Sequence, residues 1–363
     1  MQRCVAAVSG RNYLYTHTLS FARTMARSAE EKLSRQTCDV IFAPAGSGLV
    51  AQMKTSIPIV YLSDSTTRLL FNYYDEYSKV LPSHARMAED LEQLAISKAS
   101  QSVFPSSWAA ESAVRDYGAD PAKVHVVPFG ANIEHPPTRE EAVRRSPDDI
   151  CRLLFVGVEW DRKGGDIAVE TLLALERMGA RAELTIVGCV PAHEIHHASV
   201  NIVGFLNKND PQDRLRLEKI YRHSDFFLLP TRAECYGIVF CEANAYGLPV
   251  LSTATGGIPE IVRNGVNGFL LPLEARGEAY AAHILSIFGN PAKYRKMRAA
   301  SREQFETRLN WDAWGKRMNE ILWSAVDSTQ VDSTQIEPAP RSPHPEAELN
   351  SVKLGVDAKG QGR

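Results

Sequence analysis

Short apolar runs rich in β-branched residues alternate with longer helical patterns along almost the whole chain, and that alternation leaves few folds open. DVIFAP (from Asp39) reads as a buried strand and SGLVAQMKT as the helix after it. IPIVYLSD (from Ile57) is a second strand, with helices following to about Ala99. SVFPSS and VHVVPFG continue the series on either side of the helix WAAESAVRDYG, which ends on Gly118. Strands and helices in this rhythm imply a parallel sheet covered on both faces.

With 363 residues there is room for two domains of ordinary size. The polar, proline-containing EHPPTREEAVRRSPDD reads as the end of a first domain (1–135) and a linker (136–150). The rhythm restarts in a second domain (151–326). CRLLFVG, AELTIVG, VNIVGFL, DFFLLP, PVLST and NGFLLPL are its strands, and three helical stretches from about Glu278 to Ala325 close it. Residues 327–363 repeat DSTQ, carry Pro338, Pro340, Pro343 and Pro345, and hold too few apolar groups to offset the entropy of ordering. They are expected to be a disordered tail. The fold class expected is α/β, two doubly wound Rossmann-like domains facing across a cleft. Ligands then bind beyond the carboxyl ends of the strands, near Gly157, Gly188, Pro230 and Thr253.

Charge and cysteine usage narrow the partners. A formal net charge of -2 gives no electrostatic reason to expect nucleic acid. Six scattered cysteines without a CxxC pair suit reduced thiols in a cytoplasmic protein. No apolar run approaches the roughly 18–20 residues of a membrane span, and the start lacks a secretory hydrophobic region. The basic KYRKMR (from Lys293) fits either peripheral membrane contact or, preferably, a solvated helix face.

The segment ECYGIVFCE places Glu234 in the loop beyond DFFLLP and Glu242 about one and a half turns into the helix that Gly237 opens. Backbone N–H groups of Gly237 and Ile238 have no intrahelical acceptor and suit phosphate. A carboxylate in the helix can take ribose hydroxyls, and one in the loop the hydroxyls of a sugar beyond the phosphates. The bland alternative is a pair of surface glutamates, which the flanking IVFC makes less attractive because a buried acid needs partners. Lys163, beside Arg162 and Gly164 on a strand-to-helix turn, is read as a phosphate ligand against the alternative of a solvated lysine. HEIHH (His193–His197) matches the zinc pattern H-E-x-x-H. It lies in a short connection between strands with no third ligand, so a solvated loop is preferred and no metal site is expected.

E-x7-E inside TRAECYGIVFCEANAYGLPVLSTATGGIPEIV, together with VGVEWDRKGGD, VPFGANI and GGIPEIVRNGVNGFLL, resembles the family 4 retaining glycosyltransferases of the GT-B fold. The resemblance implies transfer of a hexosyl group from a nucleotide-diphosphate sugar to an acceptor sugar, lipid or small molecule, without cofactor or divalent metal. It implies that Glu242 holds the ribose and Glu234 the sugar hydroxyls. Lys163 and the backbone of Gly237 and Ile238 would take the diphosphate, with Gly164 and Gly188 shaping the donor site.

Three departures stand out. Val158 replaces an arginine common after the FVG strand, with Arg162 as a candidate substitute. Ser63 or Asp64 stands where a histidine is common; Asp64 is read equally as a contact to donor sugar or acceptor and as a helix N-cap. The first domain begins in a helical stretch, as if truncated at the amino terminus. Two rivals therefore stay open, a catalytically degenerate nucleotide-sugar-binding protein and another GT-B enzyme such as an epimerase.

Overall fold

The structure, a computed structural model, describes residues 10–144, 148–191 and 194–333, with side chains to residue 327. β1 (Ile41–Pro44), β2 (Ile59–Leu62), β3 (Gln101–Phe104) and β4 (Val124–Val126) form a parallel sheet in that order. β5 (Ile150–Val156), β6 (Arg181–Val187), β7 (Val200–Gly204), β8 (Phe226–Leu229), β9 (Val250–Thr253) and β10 (Gly268–Leu271) form a second, ordered β10-β9-β8-β5-β6-β7. Its pairs are also all parallel. Two parallel α/β domains are thus present, and each strand lies in one of the apolar runs.

The second sheet reverses its winding between β5 and β8, which opens a crevice there. In the first sheet the strands run in sequence order, so right-handed crossovers fall on one face. That face buries Val50, Leu91, Ala95, Ala109 and Ala113. The opposite face, with Val60, Leu62 and Val103, is covered by Met318, Ile321 and Ala325 of the last helix, Trp311–Ser333. Trp314 of that helix reaches Phe42 of β1, ring centroids 6.2 Å apart. The chain's end therefore crosses back to complete the first domain's core.

The segment 136–150 differs from a plain linker. It holds a helix, Arg139–Val143, started by a capping box: Glu141 N–H donates to Thr138 Oγ1 and Thr138 N–H donates to Glu141 Oε2. TREE is a helix-start signal that the polar composition hides. Buried Arg298 pins this helix by donating to Ala142 O (2.6 and 3.2 Å) and to Tyr246 O (3.0 Å). The last helix also runs on to Ser333, past the boundary expected at 326; the rest of the expected tail, 334–363, lies outside the described residues, as do residues 1–9. The opening helix is Leu19–Leu33, and among the described residues no strand pairs with the outer edge of β1. Nor is any described helix long and apolar enough to cross a membrane. Five described cysteines are free thiols, four of them buried.

Glu92, on helix Pro82–Lys98, is the first domain's one fully enclosed carboxyl among the described residues. Tyr61 OH and Thr67 Oγ1 each donate to it at 2.9 Å. Burial nonetheless pushes the carboxyl up to about 7. An acid raised on folding binds more protons in the folded state, so its contribution is lost as pH rises from the unfolded value through the folded one. Thermal melts from about pH 5 to about pH 8 are expected to show falling stability. Glu92→Gln should flatten that slope by roughly 2–3 kcal/mol. An unchanged slope in the variant would mean that the carboxyl does not titrate there.

Candidate active site

The loops that follow β5 and β8 meet at the reversal point. After β5 the chain turns through a short helix, Trp160–Lys163, into Gly165–Arg177. Gly164 at the junction has φ 76°, and a Cβ there would lie 2.1 Å from Pro230 O. Only glycine permits that approach, which sets Lys163 against the loop after β8. The Lys163 ammonium forms an ion pair with the Glu234 carboxylate, both nearly buried.

Gly237, at φ 90°, turns that loop into helix Ile238–Ala245 with no side-chain cap. Among the described residues no acceptor meets the N–H groups of Gly237 and Ile238, and both residues are partly exposed. Glu242 is 2% exposed. The surface-glutamate alternative therefore fails: both carboxylates are buried at the wall of the cleft. Glu242 Oε1 accepts from Lys208 Nζ at 2.5 Å and Oε2 from Tyr221 OH at 3.2 Å. Burial raises the Glu242 carboxyl despite Lys208 and those hydrogen bonds, which pull the other way.

Arg162 lies outside this pair. Its Nε and Nη2 donate to Glu159 at 2.6 and 3.0 Å, its Nη1 to Ala233 O at 2.9 Å, and its guanidinium sits 5.1 Å from the Tyr74 ring centroid. Its charge is already matched by Glu159, while Val158 is exposed. Gly188, at φ 102°, packs where a Cβ would come 2.6 Å from Gly157 O, so it shapes the floor between β5 and β6.

Asp64 faces these groups from the first domain. It is open to solvent at the cleft mouth. Surrounding protein still raises its carboxyl, first through desolvation and then through the charge of Glu234, against a backbone hydrogen bond of its own. It is not a helix cap, because Thr66 occupies that position before Thr67–Leu70 without a side-chain bond. The HEIHH reading is partly outside the described residues, which omit His193. His197 Nε2 lies 3.2 Å from Glu176 Oε2, residues 194–197 are not helical, and no described group of residues suits a metal.

Sequence reasoning missed the strap that joins the domains. The Tyr73 hydroxyl accepts from Glu234 N–H (2.9 Å) and shares a hydrogen bond with Thr255 Oγ1 (2.9 Å). The Tyr74 hydroxyl accepts from Cys235 N–H (3.0 Å). The aromatic-rich segment FNYYDEY was the available signal. Lys208 and Tyr221 gave none.

Two parallel α/β domains with a charged crevice between them define the GT-B class. Sucrose-phosphate synthase from Thermosynechococcus elongatus shares the fold over 87% of this chain and 81% of its own, with TM-score 0.66 and 19% identity. Anabaena HepE, solved in complex with UDP and glucose, does so over 84% and 81%, with TM-score 0.60 and 19% identity. Residues 2–135 match the family model described as Glycosyltransferase Family 4, and residues 151–290 the one described as Glycosyl transferases group 1. The chain belongs to the family 4 glycosyltransferases. A D-inositol 3-phosphate glycosyltransferase of Xylanimonas cellulosilytica is 29% identical over 58% of this chain and 54% of its own length. One from Catenulispora acidiphila is 30% identical over 65% and 60%. The chain thus spans under two thirds of these two relatives.

Gly256 tests the strap. It has φ 53°, and a Cβ would lie 1.9 Å from Glu234 O and 2.5 Å from the Tyr73 hydroxyl. Gly256→Ala is expected to cost about 2 kcal/mol or more in a urea melt, and Tyr73→Phe about 1 kcal/mol. Equal, negligible losses would show that the loop carries no such constraint.

Proposed function

We propose that this chain binds a nucleotide-diphosphate sugar at the β5–β8 crevice and transfers its hexosyl group, with retention of configuration and without a divalent metal, to a hydroxyl acceptor. The observation that carries this reading is the convergence of Lys163, Glu234, Glu242 and the open N–H groups of Gly237 and Ile238 on one crevice. These groups complement the parts of such a donor in order: ribose hydroxyls at Glu242, diphosphate at Lys163 and the helix start, sugar hydroxyls at Glu234.

Charge development decides the chemistry. Breaking the glycosidic bond leaves negative charge on the diphosphate, and fixed donors stabilise it without reorganising. Lys163 and the backbone N–H groups fill that role. As the diphosphate engages Lys163, the Glu234 carboxylate is released to accept sugar hydroxyls. Asp64, on the opposite wall, is placed to hydrogen-bond a hydroxyl of the acceptor or the sugar. Arg162 supports the loop through Ala233 O and adds positive charge nearby. No side chain is assigned as a nucleophile.

HepE was solved with UDP, which makes a uridine nucleotide the first donor to test. The inositol 3-phosphate relatives make a phosphorylated polyol the first acceptor. Calorimetric titration with UDP, GDP and ADP is expected to give saturable binding of UDP. Glu242→Ala and Lys163→Ala should each weaken it by about 10- to 100-fold, the worth of a charge-assisted hydrogen bond. Failure of every nucleotide to bind a folded chain would overturn the reading. Binding without transfer to inositol 3-phosphate or other acceptors would favour the degenerate binding protein.

A further inference from the structure

Resting on the assignment of Glu242 to the donor ribose, we infer that Lys208 is a displaceable counter-ion which covers Glu242 and is exchanged for the ribose hydroxyls when the donor enters. An ionised carboxylate offers about four lone-pair positions. Two are taken by Lys208 Nζ and Tyr221 OH. The residue is 2% exposed, so a vicinal diol reaches the carboxylate only if a group covering it moves aside.

The partners differ in how firmly they are held. Tyr221 is 1% exposed and stacked on Tyr246 at 4.9 Å. Lys208 instead presents a flexible stem, with its side chain 43% exposed against 2% for Glu242. It sits in the turn between β7 and helix Pro211–His223, where Asn209 N–H donates to Asn207 Oδ1 and Asn207 N–H to Asp213 Oδ2. The turn is fixed, and the ammonium can swing from the buried carboxylate to water at little backbone cost.

Without Lys208, Glu242 would be a buried acid with no paired cation, which is expensive. Lys208 removes that cost until the ribose arrives, and nucleotide affinity is correspondingly reduced by the pair that must be broken. The lysine thus sets donor affinity without contacting the reacting atoms.

Amine acetylation of the native chain, read by mass spectrometry, tests the exchange directly. Adding saturating UDP is expected to raise labelling of Lys208 several-fold while Lys163 becomes protected. Protection of Lys208 would overturn the inference, since the lysine would then be a donor ligand or remain paired. As a second measurement, Lys208→Met is expected to bind uridine, which carries no phosphate to attract the lysine, at least about threefold more tightly than the native chain. Weaker uridine binding by a variant that still melts cooperatively would likewise overturn it. Undiminished UDP binding by Glu242→Ala would instead remove the ribose assignment itself, whatever Lys208 does.

Discussion

The close approach of the loops after β5 and β8 governs everything at the cleft. Gly164 against Pro230 O leaves no room for a side chain, and this contact is what presses Lys163 onto Glu234. Two charges drawn out of water need each other, because isolated burial of either costs several kcal/mol. The pair therefore holds the two loops in register. The same groups suit a ligand that carries negative phosphates next to neutral hydroxyls, since such a ligand separates the pair while satisfying both members.

A second pair repeats this logic at the other end of the crevice, between Lys208 and Glu242. Here one partner is enclosed and the other open, so the two pairs differ in how readily they part. Between them lies the start of helix Ile238–Ala245, with its open N–H groups. The domains are joined around this line. Tyr73 and Tyr74 hold the backbone of Glu234 and Cys235, and Ser107 of the first domain donates to Glu260 of the second at 2.8 Å. The last helix fills the open face of the first sheet. Cleft geometry is thereby tied to contacts far apart in the chain.

Much of this was legible in the residues. All ten described strands lie in apolar runs that periodicity picks out, and Gly118 ends its helix at φ 64° as a glycine there should. ECYGIVFCE revealed a loop acid and a helix acid. The helix within the segment 136–150 went unread because a five-residue helix with a capping box looks polar and proline-flanked in sequence. Its anchor, Arg298, lies more than 150 residues away. Arg162 was read as a substitute for the arginine missing at Val158, and the structure sets its guanidinium against Glu159 and over the Tyr74 ring.

Local pattern alone determined the parallel α/β class, the two-domain division and the position of the motif acids, because periodicity and turn chemistry act over a few residues. Tertiary structure decided which charges meet. Lys163 finds Glu234 71 residues on, and Lys208 finds Glu242 34 residues on. Those distances are spanned by sheet order and by glycine-permitted contacts, which bring residues together without leaving any mark in the sequence around them.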